Sequence, residues 1–194
     1  MKTMNTAAIF AKYPTDKPKY ADFYQRHFEG LNPSILLEIG VLKGGSHRAW
    51  KELFPNTRVV GIDIDPLIEE VNKDLEIYTG DQTDQDFLNH VIDTIGHPDI
   101  IIDDGGHTRK QQVLSLTYLW PFLISGGLYI IEDLETSFLD HYNDYPHSGF
   151  EQVRNCLFPI EWTGQLTGLK VGDPLTYIYS SITFEPNICI IRKK

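Results

Sequence analysis

Five apolar runs of strand length, separated by four helix-length segments of mixed polarity, constrain this chain most. ILLEIG (35–40), RVVGIDI (58–64), LEIYTG (75–80), DIIIDD (99–104) and LYIIED (128–133) are near-continuous in Ile, Leu and Val. Such runs suit strands covered on both faces. Between them SHRAWKELF (46–54), PLIEEVNKD (66–74), DQDFLNHVIDTI (84–95) and RKQQVLSLTYLWPFL (109–123) read as helices, Pro66 standing at a helix start. The alternation predicts an α/β fold: a doubly wound, Rossmann-like sheet, mostly parallel. The final YIYSSITFEPNICIIRKK holds two β-type runs around Glu185, Pro186 and Asn187, and predicts a C-terminal antiparallel hairpin. At 194 residues the expectation is one domain over 1–194, with 1–34 as an N-terminal lid or helical segment.

Composition narrows the partners. The formal charge is -10, from 17 Lys and Arg against 27 Asp and Glu, which argues against nucleic acid and anionic membrane as partners. No run approaches the roughly 20 apolar residues of a membrane span, and MKTMNTAAIFAKYPTDK lacks the sustained apolar stretch of a signal peptide. Cys156 and Cys189 lie far apart, outside any CxxC pattern, so reduced thiols in a cytoplasmic protein are expected.

The turn after the first run, E-x-G-x-x-x-G-G from Glu38 through Gly40 to Gly44 and Gly45, leads into a helix opened by Ser46. Glycine here lets backbone approach a ligand, and a helix N-terminus offers free N–H groups. A purely structural turn has the same signature. The spacing departs from G-x-G-x-x-G, against NAD or FAD. Asp63 ends the second run, where an acidic side chain accepts from ribose hydroxyls or forms a turn. Asp81 and Gln82 follow the third, as adenine contacts or turn formers. Three strand ends carrying suitable groups in order favour a nucleoside pocket.

The fourth and fifth runs end in Asp103–Asp104 and Glu132–Asp133. Carboxylates brought together at neighbouring strand ends repel unless some are protonated or a cation joins them. Oxygen ligands without cysteine favour Mg²⁺ or Mn²⁺. His107 follows across Gly105 and Gly106; a helix start there would put Asp104 and His107 on one face, placing a general base beside a metal-held hydroxyl. Capping or solvation is the alternative for either acidic pair. The aromatic, turn-rich SFLDHYNDYPHSGF (137–150), with His141 and His147, reads as a loop over the site.

These motifs resemble class I S-adenosylmethionine-dependent methyltransferases, and more narrowly the metal-dependent sugar O-methyltransferases of the mycinamicin and macrocin type. YPTDK, LLEIGVLKGGS, VVGIDIDP, GDQTDQDFL, IIDDGGH and GGLYIIEDLETS carry the likeness, over about residues 13–137. The resemblance implies that Asp104, Glu132 and Asp133 hold Mg²⁺ (or Mn²⁺) and that His107 takes the proton from a sugar hydroxyl. It implies that Glu38, Gly40, Gly44, Ser46, Asp63, Asp81, Gln82 and Asp103 form the S-adenosyl-L-methionine pocket. Thr15 and Lys17 would close over the methionine end, Lys17 pairing with its carboxylate. Gly106 stands where the family often has Ser, and the larger macrolide enzymes carry an added N-terminal region ahead of the first strand. The implied reaction is Mg²⁺-dependent O-methylation of a sugar or glycosylated natural product, a small-molecule hydroxyl substrate, with a homo-oligomer left open. The rivals are a phenolic or antibiotic-scaffold substrate, cephamycin-type hydroxylation chemistry, or a non-catalytic nucleoside-binding homologue.

Overall fold

The computed structural model describes residues 5–156 and 179–194. Strands β1 (Ile35–Ile39), β2 (Arg58–Asp63), β3 (Glu76–Thr79), β4 (Ile100–Asp103) and β5 (Leu128–Ile131) form the expected parallel set, each ending one or two residues before the end of its apolar run. The hairpin β6 (Tyr179–Glu185) and β7 (Ile188–Lys193) adds at the β5 edge, in the order β3-β2-β1-β4-β5-β7-β6, with β7 antiparallel to both neighbours. Asn187, at φ 67, makes its turn; Tyr177 and Ile178 of the expected hairpin lie outside the described residues.

Helices α1 (Thr6–Phe10), α2 (Ala21–Phe28), α3 (Gly45–Leu53), α4 (Pro66–Val71), α5 (Gln85–Ile95), α6 (Arg109–Leu119) and α7 (Gly149–Cys156) flank the sheet. Several of their starts are chemically specified. Asp65 accepts from Leu67 N ahead of Pro66, Asp84 from Asp86 N and Phe87 N, and Thr108 forms a capping box with Gln111. A 3₁₀ turn at Trp120–Phe122 ends the run expected as one helix over 109–123, because Pro121 cannot continue it.

The pleat sorts side chains between two cores. Leu37, Ile39, Val60, Ile62, Ile101, Tyr129 and Ile131 face α5 and α6. Leu36, Val59, Ile100, Ile102, Leu128 and Ile130 face α1, α2 and α3. In that second core Phe10, Tyr24 and Phe28 pack edge-on around Trp50, with centroids 4.9–5.9 Å apart, each contact worth about 0.5–1.5 kcal/mol beyond burial. This aromatic nest seats α1 and α2, so the strap between them (residues 11–20) must cross the carboxyl ends of the strands. Among the described residues no helix is long and apolar enough to cross a membrane. Cys189 is buried on β7, and burial pushes its thiol up to about 12.

Candidate functional site

A cavity of about 740 Å³ opens at the carboxyl ends of β1, β2, β3 and β4, where doubly wound sheets bind ligands. Its walls are the β1 turn from Gly40 to Lys43, Gly45 and Ser46 at the start of α3, Asp63, Asp81, Gln82, the Asp104–His107 turn, Asp133 and the strap residues Pro14, Thr15 and Asp16. Gly40 has φ 86, and a Cβ there would lie 2.0 Å from the Asp104 carbonyl oxygen. Only glycine lets the β1 and β4 turns touch. At Gly45 a Cβ would meet the Pro14 carbonyl oxygen at 2.3 Å, so the strap rests directly on the start of α3.

Asp63 organises the β1 turn. Its Oδ2 accepts from Val41 N and Leu42 N at 3.0 and 2.9 Å, its Oδ1 from Asp65 N at 3.0 Å, and it also borders the cavity. Asp81 accepts from Thr83 N at 2.8 Å, so the turn-forming role and the cavity position coincide. Gln82 donates to Asp103 and Ser115, and its Oε1 accepts from Gly106 N at 3.0 Å, setting the path of the turn that carries His107.

The two acidic pairs do not form one cluster, because neighbouring residues on a strand point to opposite faces. Asp103 turns into the core beneath α6, where Ser115, Tyr129 and Gln82 donate to it, and burial raises its carboxyl above the usual range. Glu132 turns into the other core, fully buried, and accepts from Tyr24 Oη and from Lys17 Nζ, the latter at 2.9 Å. Asp104 and Asp133 stay at the mouth. With His107 they offer three ligand atoms within 4.8 Å of one another. His107 and Asp133 both hold left-handed backbone, φ 59 and φ 53, unfavourable for side-chain-bearing residues and a mark of functional turns. His107 Nε2 lies 3.6 Å from Asp133 Oδ2. The helix start expected to align Asp104 with His107 is absent: α6 begins at Arg109, and the glycine turn makes the approach.

Four expected cofactor contacts stand back from the cavity. Gly44 caps α3 in left-handed conformation behind the wall. Glu38 is buried, accepting from Trp50 Nε1 at 2.8 Å and facing His47 Nδ1 at 3.1 Å. Asp103 lies beneath the turn, as above. Lys17, expected to pair with a bound carboxylate, is fully buried and pairs with Asp104 and Glu132 instead. Burial disfavours its charge, but Glu132, Asp104 and Glu38 outweigh that and hold it protonated. Burial also pushes Asp104 up to about 6 and Glu132 up to about 8, against the pull of Lys17. Asp133 goes the other way: donors from Lys19 (2.6 Å) and Tyr20 (2.8 Å) overcome burial and hold it below the usual range.

The 137–150 stretch does not border this cavity. It folds as 3₁₀ turns at Leu134–Phe138 and Asp140–Tyr142 leading to α7, and lies across the start of α6. Arg109 donates to Ser137 O and Asn143 Oδ1, and Asp144 accepts from Lys110 N. The strap takes the covering position, and its Lys19 and Tyr20, which no motif singled out, reach Asp133.

No protein-family model matches the chain. Over 97% of its length it is 31% identical to an 8-demethyl-8-alpha-L-rhamnosyl tetracenomycin-C 2'-O-methyltransferase of Streptomyces olivaceus, covering 54% of that protein. It is 36% identical, over 61% of its length and 32% of the relative's, to a mycinamicin VI 2''-O-methyltransferase of Micromonospora griseorubida. Among solved structures, the MycE methyltransferase of the mycinamycin pathway, in complex with Mg, SAH and mycinamycin VI, superposes with a TM-score of 0.83 at 25% identity. That match covers 99% of this chain and 54% of the other. The chain thus spans about half the length of the relatives it matches over nearly all of its own sequence.

Proposed function

We propose that this chain, which has the class I S-adenosylmethionine-dependent methyltransferase fold and resembles the sugar O-methyltransferases of the mycinamicin and macrocin type, is a cation-dependent O-methyltransferase. Its acceptor is a hydroxyl of a sugar or glycosylated natural product. The observation that carries the reading is the convergence of Asp104, His107 and Asp133 at the mouth of a strand-end cavity. The relatives named above are sugar O-methyltransferases, and the solved structure holds Mg and SAH.

Both groups fit this chain. The glycine contacts at Gly40 and Gly45 keep the cavity floor free of side chains at the N-terminus of α3. Two carboxylates make a donor set for a hard divalent ion. S-adenosylmethionine would supply the methyl group, and the cation positive charge that lowers the pKa of an acceptor hydroxyl. Thr15, Gly40, Ser46, Asp63, Asp81 and Gln82 border the space for the cofactor. Asp104 and Asp133 hold the cation, and His107 accepts the proton of the hydroxyl at Nε2. Glu132, pinned by Lys17 and Tyr24, supports Asp104 from below rather than reaching the ion. The strap excludes water from above. Positioning supplies much of the remaining acceleration.

The test measures S-adenosylhomocysteine and Mn²⁺ binding by calorimetry, and methyl transfer to rhamnosyl and related glycosides, for wild type, Asp104→Asn and His107→Asn. Expected are micromolar cofactor binding in all three, weakened Mn²⁺ binding in Asp104→Asn, and lost transfer with retained Mn²⁺ binding in His107→Asn. Lost Mn²⁺ binding in His107→Asn would make the imidazole a ligand and refute its role as base. Absence of cofactor binding in the wild type would overturn the methyltransferase reading.

A further inference from the structure

The strap brings two lysines of the run TDKPK onto the carboxylates of the candidate cation cluster. Lys17 Nζ sits on Asp104 Oδ2 and Glu132 Oε2, with Asp16 Oδ1 at 3.8 Å. Lys19 Nζ sits on Asp133 Oδ1 at 2.6 Å, where Tyr20 Oη also donates. Each carboxylate of the cluster is thus already neutralised by an ammonium tethered to residues 16–20. Lys17 is fully buried, which a lysine tolerates only when compensated by opposite charge.

We propose that Lys17 is a tethered cation that competes with the divalent ion for Asp104, so that it sets the affinity of the site and couples ion loading to the strap. The inference rests on the functional reading above. Three geometric facts carry it. Lys17 and the ion would draw on the same Asp104 carboxylate, and two cations held against one carboxylate repel strongly in a partly desolvated site. The ammonium has a second seat on Glu132, which lies outside the three-atom cluster. It can release Asp104 and still keep a buried hydrogen-bond partner in Glu132, which Tyr24 holds in place for it.

The strap is also a wall of the cavity. Pro14, Thr15 and Asp16 border the space, and the Pro14 carbonyl lies against Gly45. Thr15 Oγ1 accepts from Lys17 N at 3.3 Å, so a shift of Lys17 is passed to the cavity lining. At its other end Lys12 and Tyr13 are fastened to Glu52 on α3. Movement is therefore confined to about residues 14–20. Coupling of this kind is reciprocal: what loosens the strap favours the ion, and the ion loosens the strap.

The experiment titrates the full chain with Mn²⁺, followed by electron paramagnetic resonance, in wild type, Lys17→Met, Lys17→Arg and Lys19→Met. S-adenosylhomocysteine titrations run in parallel. Lys17→Met should bind Mn²⁺ about tenfold more tightly or better, as removing a unit charge within a few ångströms implies. Lys17→Arg should stay near wild type. Lys19→Met, at a half-exposed residue that does not threaten folding, should tighten binding by about two- to threefold, the smaller effect of a screened charge. In the wild type, Mn²⁺ should speed amide hydrogen exchange in residues 14–20 and leave the neighbouring α3 unchanged.

Unchanged or weaker Mn²⁺ binding in a folded Lys17→Met, whatever Lys19→Met does, would overturn the competition while S-adenosylhomocysteine binding upheld the functional reading. Loss of S-adenosylhomocysteine binding in the wild type marks failure of that reading instead. If Lys17→Met does not fold, Lys19→Met and the exchange measurement decide the matter alone.

Discussion

Replacing Gly40 by Ala tests the contact on which the cavity depends. Gly40 has φ 86, and its new Cβ would lie 2.0 Å from the Asp104 carbonyl oxygen and 2.7 Å from its carbon, where ordinary contact begins near 3.4 Å. The turns after β1 and β4 must separate by well over an ångström. That strains the Gly40 N to Ile62 O and Asp104 N to Ile39 O hydrogen bonds, 2.8 and 3.0 Å long. Two such bonds are worth about 1 kcal/mol each. Left-handed backbone costs alanine about 1–2 kcal/mol, and the stiffer unfolded chain returns about 0.4–1 kcal/mol. The net is a loss of about 2–4 kcal/mol. With a urea m-value of about 2 kcal/mol/M the midpoint should fall by about 1–2 M. Gly30→Ala is the control: its φ is 78, but nothing lies within 4 Å of the added carbon, so only the backbone term remains, net about 0–1.6 kcal/mol. S-adenosylhomocysteine affinity should fall in Gly40→Ala and not in Gly30→Ala. Equal midpoints for the two variants, or undiminished cofactor affinity in Gly40→Ala, would refute the argument that close approach at this glycine builds the site.

Trp50→Phe removes the buried donor to Glu38 Oε1 and should destabilise the chain by about 1.5–3 kcal/mol in urea unfolding; a change under about 0.5 kcal/mol would mean that His47 alone satisfies Glu38. Burial raises Asp104 to about 6 and Glu132 to about 8 in the folded state, so their contribution is fully present below the unfolded carboxyl values near 4 and is lost as pH rises through the folded ones. Tyr24→Phe, Glu132→Gln and wild type unfolded between pH 5 and 8 should accordingly show the wild-type slope flattened in Glu132→Gln. Ion binding has the opposite sign, because ligation needs the deprotonated carboxylate. Mn²⁺ affinity should rise from pH 5.5 to pH 7.5, and a flat profile would place the ion away from Asp104.

Much of this was readable before any coordinates. Strands β1 to β5 lie within a residue or two of the apolar runs, because Ile, Leu and Val in unbroken sequence have few other places to go. Helices α4, α5 and α6 begin within a residue of the expected starts at 66, 84 and 109, behind Asp65, Asp84 and Thr108, whose side chains bond backbone only a few residues away. The same is true of the carboxyl-end location of Asp63, Asp81, Asp104 and Asp133, all of which border the cavity. Local chemistry of this kind is carried by neighbours in the chain, so the amino-acid order by itself determined it.

Only the tertiary structure decided which carboxylates share a site. Strand alternation sends Asp103 and Glu132 into opposite cores and leaves Asp104 and Asp133 at the mouth. The partner of Lys17 was likewise beyond reach from order alone. Its ammonium meets Glu132, 115 residues later in the chain, because the aromatic nest of Phe10, Tyr24, Phe28 and Trp50 seats the helices on either side of the strap. A buried charge is paired by whatever the fold brings to it, and long-range packing is what chooses the partner.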